Sequence, residues 1–568
     1  MLMPSSFLRV AAFAALTLPF VQAQAPDEVV RKIVAESTVE NSKVMDHLAR
    51  LCLDIGPRLT GSQRLIEACQ FAAETFKSYG LEVRLEEWDT AEVGFDRGTH
   101  SGFAFYADPP ADASGSGDPA GGPRPGRRGA GEKGRRLAFN TDAWTPGTDG
   151  LKTGPVLVVP KDEAGLAGLA SKAKGAWLFR TSGSLSARKL DEFVLANGAY
   201  GVVSSGGDLL LTGGRLRTKW DELPKVVRIA LWSEDHKFLS EKLEAGAPVT
   251  AGFDIRNHFR KGPIPLYNVI AELKGTEKPD ELVIVGGHID SWDGAQGTTD
   301  NGTGTSTTIE AARLLTKAGA KPKRTIRFML WSGEEQGLLG SRAYIKKHPD
   351  ENDRISAVLV HDGGTNYVSG IAATPAMKND LSLVFAPVFK LSEAMPFKIS
   401  DVKRLPSGIG SDHDSYVQVG VPGFFWNQAG RANYTYTHHT QHDVYASAIP
   451  EYQRHTAAVV AIGALGIANL PKLLDRTTSA EKDAPNPLSS PRRLGVQLEE
   501  NLVIVEIVDG GRAKTVGLRE GDRILKVDGR AVSDRAALSS ELNAGEPKKQ
   551  VTVKRGDAEV TVTIEFTR

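Results

Sequence analysis

At 568 residues the chain exceeds what one ordinary hydrophobic core supports, so about three domains are expected. Hydrophobic residues make up 40% and charged residues 24%, the balance of a globular protein rather than a disordered or membrane-spanning one. Lys+Arg and Asp+Glu both total 69, and the resulting net charge of +0 points away from nucleic acid or polyanionic partners.

The N-terminal residues place Arg9 ahead of an apolar run from Val10 to Val21, followed by the small-residue pattern Val21-Gln22-Ala23. This predicts a signal peptide over 1–23, cleaved after Ala23, and an exported protein, secreted or periplasmic. The run is short for a bilayer and no later segment is long and apolar enough, so no membrane span is expected. Cys52 and Cys69 are the only cysteines. Export permits a disulfide between them, and their core-facing positions on predicted helices equally suit packed free thiols.

Val44, Leu48, Leu51 and Ile55 have helical spacing, which Gly56-Pro57-Arg58-Leu59-Thr60-Gly61-Ser62 interrupts. Ser62 can cap a second helix carrying Ile66, Cys69, Phe71 and Phe76, which stops at Gly80. Leu81 to Leu85 alternates like a strand. From Ala107 to Arg136 the chain turns to Gly, Pro, Ala and Arg and reads as a disordered surface loop. Short apolar runs follow, among them Pro155–Val159, Gly175–Phe179 and Ala199–Val203, with a helix over Ser186–Asn197. They predict a β-rich insert over 101–255, without clustered His, Asp or Cys to carry chemistry.

An α/β pattern resumes at Asn268, with strands at Leu282–Val285, Thr325–Trp331 and Ala357–Val360 and a helix over Thr305–Ala318. The fold class expected for 24–100 and 256–473 together is α/β: a mostly parallel or mixed sheet covered by helices on both faces. A Pro-containing linker over 474–490 leads to a second β-rich unit over 491–568.

Chemistry-bearing residues collect where these strands end, the place where open α/β sheets carry their sites. His288 follows Gly286-Gly287 at the end of the first strand, and Asp290 is positioned to accept its second ring N–H and fix the tautomer. Asp300 precedes a helix, where a capping role would also suit it. Glu334 and Glu335 follow the second strand, Asp362 the third, and Tyr436-Thr437-His438-His439-Thr440-Gln441-His442-Asp443 is crowded with imidazoles. Mixed nitrogen and oxygen donors suit zinc, and a bridging carboxylate suits a pair of zinc ions.

The segments GGHIDSWDGAQGTTDNGTG, WSGEEQGLLGS and THHTQHD resemble, in order and spacing, the co-catalytic di-zinc exopeptidase family that includes secreted bacterial aminopeptidases, carboxypeptidase Q and glutamate carboxypeptidase II. HIDSWDGAQG is nearest to the carboxypeptidase Q wording. The resemblance implies two zinc ions per chain, one held by His288, Asp300 and Asp362 and the other by Asp300, Glu335 and His439. It implies Glu334 as the general base for a metal-bridging hydroxide, with Asp290 in a supporting catalytic role. The expected activity is hydrolysis of terminal peptide bonds by an aminopeptidase or dipeptidase, with a carboxypeptidase Q-like activity as the alternative. Ser411-Asp412-His413-Asp414 resembles a family segment near the substrate pocket, where support of the sheet edge and substrate contact are both open. Tyr434 and Tyr436 are candidate oxyanion donors.

The insert resembles a protease-associated domain. Gly521-Asp522 and Asp528-Gly529 flank the alternating run Arg523–Val527, and this unit resembles a PDZ domain. That resemblance implies capture of peptide C-termini beside Leu494-Gly495-Val496. A PDZ scaffold with a relict metal site is the rival from another class, against which the intact ligand set and Glu334 argue. The sequence leaves the oligomeric state open.

Overall fold

The computed structural model describes residues 27–106, 133–181, 185–214, 216, 219–476 and most positions within 492–566. The expected signal peptide and most of the expected linker lie outside the described residues.

The strand Lys278–His288 is apolar almost throughout its second half because both its faces are covered. Val283 and Val285 pack into a core shared with Leu48, Ala68, Ile309 and Val459 of helices on one side. Leu282 and Ile284 point the other way, into a core with Tyr344, Ile345 and Tyr416. Arg324–Trp331 divides likewise, with Phe328 and Leu330 on one side and Met329 and Trp331 on the other. This is the two-residue alternation of a strand, applied to a sheet sandwiched between helices.

Within this sheet the order is Gly423–Phe425, Ile355–Val360, Lys278–His288, Arg324–Trp331, Val249–Leu273. The first four run parallel and Val249–Leu273 runs antiparallel, so the sheet is mixed. Helices Gln63–Ser78, Thr303–Lys317 and Pro450–Ala468 cover one face. Leu339–Lys347 and His413–Val417 cover the other. Gln63–Ser78 begins where the sequence predicts, since Ser62 Oγ accepts the Leu65 N–H at 3.0 Å.

The insert is reached through continuous strands rather than a linker. Glu82–Tyr106 and Val249–Leu273 are each 25 residues long and pair antiparallel along their length. Between them the expectation of a β-rich module is corrected to an α/β one. Lys152–Val158, Trp177–Phe179, Gly201–Ser205 and Val227–Leu231 pair in parallel, with helices Glu163–Gly168 and Ala187–Asn197 in the intervening segments. Parallel neighbours need crossover connections, and those helices fill the first two of the three. The loop expected over 107–136 is also shortened at its end: Lys133–Arg136 is a strand paired with Phe103–Tyr106, and 107–132 lies outside the described residues.

In the C-terminal unit, Arg523–Val527 pairs with Arg530–Ala531 and with Lys548–Arg555, which pairs in turn with Ala558–Glu565. Asp528 (φ 50°) and Gly529 (φ 80°) form the two-residue turn, the left-handed backbone that an Asp-Gly pair accommodates in a tight hairpin. Ile504, Ile524, Val527, Val551 and Val553 fill its core.

Cys52 and Cys69 are buried free thiols, which resolves the two readings in favour of packing. Burial pushes the Cys69 thiol up to about 12.

Candidate metal centre

Parallel register brings the strand ends to one edge. Trp331 lies level with His288, and Val360 with Gly286, so Glu334, Glu335 and Asp362 emerge within a few residues of the His288 ring. His288 Nε2 lies 3.0 Å from Asp362 Oδ1 and 3.2 Å from Asp300 Oδ1. The second oxygen of Asp300 faces away from that group. Its Oδ2 is 3.2 Å from His439 Nε2, which in turn is 3.0 Å from Glu335 Oε2. The structure therefore gathers all five candidate ligands around one carboxylate shared between two imidazoles.

Glu334 stands beside this pair, with Oε2 3.9 Å from His288 Nε2. Asp290 is fully buried, and its carboxylate accepts the backbone N–H groups of Glu334 and Glu335, both at 3.3 Å, and the Thr60 hydroxyl at 3.1 Å. Its expected bond to the His288 ring is corrected in part: His288 Nδ1 lies 3.1 Å from the Asp290 backbone carbonyl and 3.5 Å from the carboxylate. Two strand-end turns compete for that carboxylate, and the amides of 334 and 335 occupy it.

The electrostatics are those of a cation site. Burial pushes the Glu334 carboxyl well above the carboxylate range, against the pull of His288 and with the charges of Asp362 and Glu335 adding to it. Burial and the Asp300 charge carry Glu335 up to about 8. Burial likewise lifts Asp412 and Asp443 to about 7. Asp300 goes the other way: burial works to raise it, and hydrogen bonds from His288 and His439 outweigh burial and keep it ionised. Burial would lower His439, and its bonds to Asp300 and Glu335 instead raise it to about 10. Carboxylates crowded this closely need protons or cations to balance them. The donor atoms of His288, Asp300 and Asp362 lie within 4.8 Å of one another, as do those of Asp300, His438 and His439. Asp300 is buried with Oδ2 facing the His439 ring at 3.2 Å and the His438 ring at 3.7 Å, so this oxygen keeps a lone pair to offer a cation. Imidazole and carboxylate donors in two groups sharing an aspartate fit a pair of zinc ions.

Some of the site is not visible in the sequence. His438 stacks on His439 with ring centroids 3.8 Å apart, and its Nε2 is 3.7 Å from Asp300 Oδ2. The insert, in which no chemistry-bearing cluster is legible, reaches the site through its backbone. Thr212 N–H donates to the His439 carbonyl at 2.7 Å, and Leu210 N–H to Gln441 Oε1 at 2.8 Å. No side-chain signal could have announced a backbone donor more than 200 residues away. His439 itself has φ 60°. Asp443 is a further buried support, accepting the Thr299 hydroxyl at 2.8 Å and the Asp300 N–H at 3.3 Å.

In the 411–414 segment, Asp414 accepts the N–H groups of Gly408 and Gly410 at 2.7 and 2.8 Å, so this residue shapes the loop. Of the two tyrosines, Tyr434 belongs to the site. Burial, with the charges of Asp300, Asp362 and Glu335, holds its hydroxyl well above its ordinary value, so it stays protonated. Tyr436 is stacked on His442 and half exposed.

A helix-covered α/β sheet with this donor set at its strand ends defines a metallopeptidase. Residues 268–462 match Peptidase family M28, and residues 492–566 match the PDZ domain. Carboxypeptidase Q of Homo sapiens is 28% identical over 453 residues, covering 76% of this chain and 86% of that protein. A probable aminopeptidase of Saccharomyces cerevisiae is 28% identical over 259 residues, 41% of this chain and 67% of that one. Among solved structures, a peptidase M28 precursor from Shewanella amazonensis shares the fold at a TM-score of 0.54, with 23% identity over 79% of this chain and 98% of that one.

Proposed function

We infer that the protein is an exported zinc exopeptidase, in which His288, Asp300 and Asp362 hold one zinc and Asp300, Glu335 and His439 the other. The observation that carries this reading is the orientation of Asp300, one oxygen toward His288 and one toward His439. Bound there, two zinc ions would supply Lewis acidity and make a water acidic enough to serve as nucleophile at neutral pH.

The chain's own residues do the rest. Glu334 takes the proton from the attacking water and returns it to the leaving amine at its carboxylate. Asp290 holds the peptide groups of Glu334 and Glu335, so both side chains leave a fixed turn. Tyr434, kept protonated, is the candidate to donate to the oxygen on which charge develops.

The similarity to carboxypeptidase Q supports a second reading of substrate choice, a carboxypeptidase or dipeptidase in place of an aminopeptidase. The insert, as a protease-associated-like domain, would border the substrate's approach, and the PDZ domain would capture peptide C-termini. No described helix is long and apolar enough to cross a membrane; export rests on the N-terminal residues. The deciding assay is the zinc-loaded protein on aminoacyl-nitroanilides, free dipeptides and N-blocked peptides, with and without chelator. Chelator-sensitive cleavage that requires a free N-terminus supports the aminopeptidase, cleavage of blocked peptides the carboxypeptidase. Cleavage indifferent to chelator would remove the metal mechanism altogether.

A further inference from the structure

The turn Gly56–Ser62 lies about 230 residues ahead of the metal-binding motifs and belongs to none of them. Arg58 in it is fully buried, although a guanidinium is among the costliest groups to remove from water. Its hydrogen bonds go to main-chain carbonyls. Nε donates to Ile289 O at 2.7 Å, Nη2 to Gly297 O at 2.7 Å, and Nη1 to Gln296 O at 3.2 Å and Gly56 O at 3.3 Å. Its own peptide group is tied to the same loop: Arg58 N–H donates to Ser291 Oγ at 3.0 Å, and Arg58 O accepts the Ser291 N–H at 3.1 Å.

Residues 289–297 are the loop between His288 and Asp300. One buried cation therefore pins its first residue, 289, and its last two, 296 and 297. The loop is shaped to receive it: Gly297 has φ 62°, and a Cβ there would come within 2.3 Å of Ser291 Oγ and 3.1 Å of Arg58 Nη2. Two residues further along the turn, buried Thr60 donates its hydroxyl to Asp290 Oδ2 at 3.1 Å. Asp290 is the carboxylate that holds the Glu334 and Glu335 amides.

We propose that the turn Gly56–Ser62 is a positioning element of the metal centre, with Arg58 setting the span between His288 and Asp300 and Thr60 steadying Asp290. This rests on the two-zinc reading above. Neither residue touches substrate. Each acts through the residues that present the ligands, and a guanidinium suits the task because its planar fork serves several carbonyls at once. Lysine, a point charge with a single nitrogen, cannot span 289 and 297 together.

The test uses full-length protein stripped of metal and titrated with cobalt(II), comparing wild type with R58K, R58Q and T60V. Metal affinity is followed through the visible cobalt spectrum, alongside kcat, KM and the melting temperature of the metal-free form. Partners of this kind are worth about 10–100-fold in metal affinity or activity. R58K and R58Q should therefore bind cobalt about 10–100-fold more weakly, with an altered cobalt spectrum and a reduced kcat at little-changed KM. T60V, nearly isosteric, should move the same readouts in the same direction. A folded R58Q, or T60V, with affinity within about twofold of wild type and an unchanged spectrum overturns the proposal. Should the Arg58 variants not fold, T60V decides alone. Wild type that takes up no cobalt would sink the two-zinc reading and this inference together, whereas uptake with indifferent variants sinks this inference only.

Discussion

Asp300 and His439 meet through a single pair of atoms, Oδ2 and Nε2 at 3.2 Å, which leaves Asp300 Oδ1 for His288 at the same distance. A carboxylate shared in this way cannot be replaced by an amide, which offers only one oxygen. D300N should lose more than about 100-fold in activity, exceeding the 10–100-fold effect of partners one shell further out. Metal analysis after dialysis should show fewer than two zinc ions per chain. A variant with two tightly held zinc ions and near-normal turnover would refute the shared-ligand assignment.

Glu334 is crowded by like charges and assigned no metal. E334Q should therefore keep its zinc and its fold while kcat falls by about 10²–10⁴-fold, the usual share of a general acid-base group. Removing a charge that burial and Asp362 both disfavour should leave the melting temperature of the metal-free protein unchanged or higher. Near-normal peptidase activity in E334Q would eliminate it as the base.

Glu310 supplies a pH-dependent part of stability away from the site. Its buried carboxylate accepts Ser42 Oγ at 2.9 Å, Lys43 N–H at 3.0 Å and two Arg313 donors at 2.9 Å. Burial works to raise this carboxyl, but hydrogen bonds from His47 and Arg313 outweigh burial and hold it below the ordinary value. A depressed folded value means the stabilisation is complete above the unfolded value of roughly 4.3 and is lost as pH falls through the folded one. E310Q should be destabilised by about 1–3 kcal/mol at pH 7, because Arg313 keeps Glu36 at 2.7 Å but loses the more deeply buried of its two carboxylate partners. The gap in melting temperature between wild type and E310Q should narrow below about pH 4. A gap that stays constant from pH 7 to pH 3 would contradict this.

The junction of insert and site depends on another buried pair. Arg97 donates to both oxygens of Asp293, each at 3.0 Å, and to Thr141 O at 2.8 Å, with side-chain exposures of only 5% and 2% for the pair. D293A should cost about 3–5 kcal/mol in denaturant unfolding, and the double replacement R97M/D293L markedly less, since no uncompensated charge then remains. A cost for D293A below about 1 kcal/mol would show that this pair does not bear on the junction.

Much of the fold is legible because the physics is local. Leu282–Val285 and Thr325–Trp331 read as strands since residues covered on both faces must all be apolar. Helix Gln63–Ser78 is announced by its cap at Ser62 and closed before Gly80. The β-rich reading of the insert fails where local signals fall silent, because short apolar runs do not reveal whether their neighbours pair parallel or antiparallel. The strand Lys133–Arg136 is hidden for a related reason: its composition continues that of the preceding Gly-rich stretch, and only pairing with Phe103–Tyr106 makes it a strand.

What the amino-acid sequence determines by itself is the chemistry on offer: which strands end in His288, Glu334, Glu335 and Asp362, and that Asp300 and His439 are candidates to join them. Side-chain identity is written residue by residue, and strand ends in a parallel sheet must share an edge. Only the tertiary structure decides that Asp300 divides its two oxygens between His288 and His439, that Thr212 of the insert grips the His439 carbonyl, and that Arg58 spans the loop from 289 to 297. Two of those three contacts are made to main-chain carbonyls, which every residue carries alike. The first depends on angstrom-scale placement of loops that no one-dimensional pattern encodes.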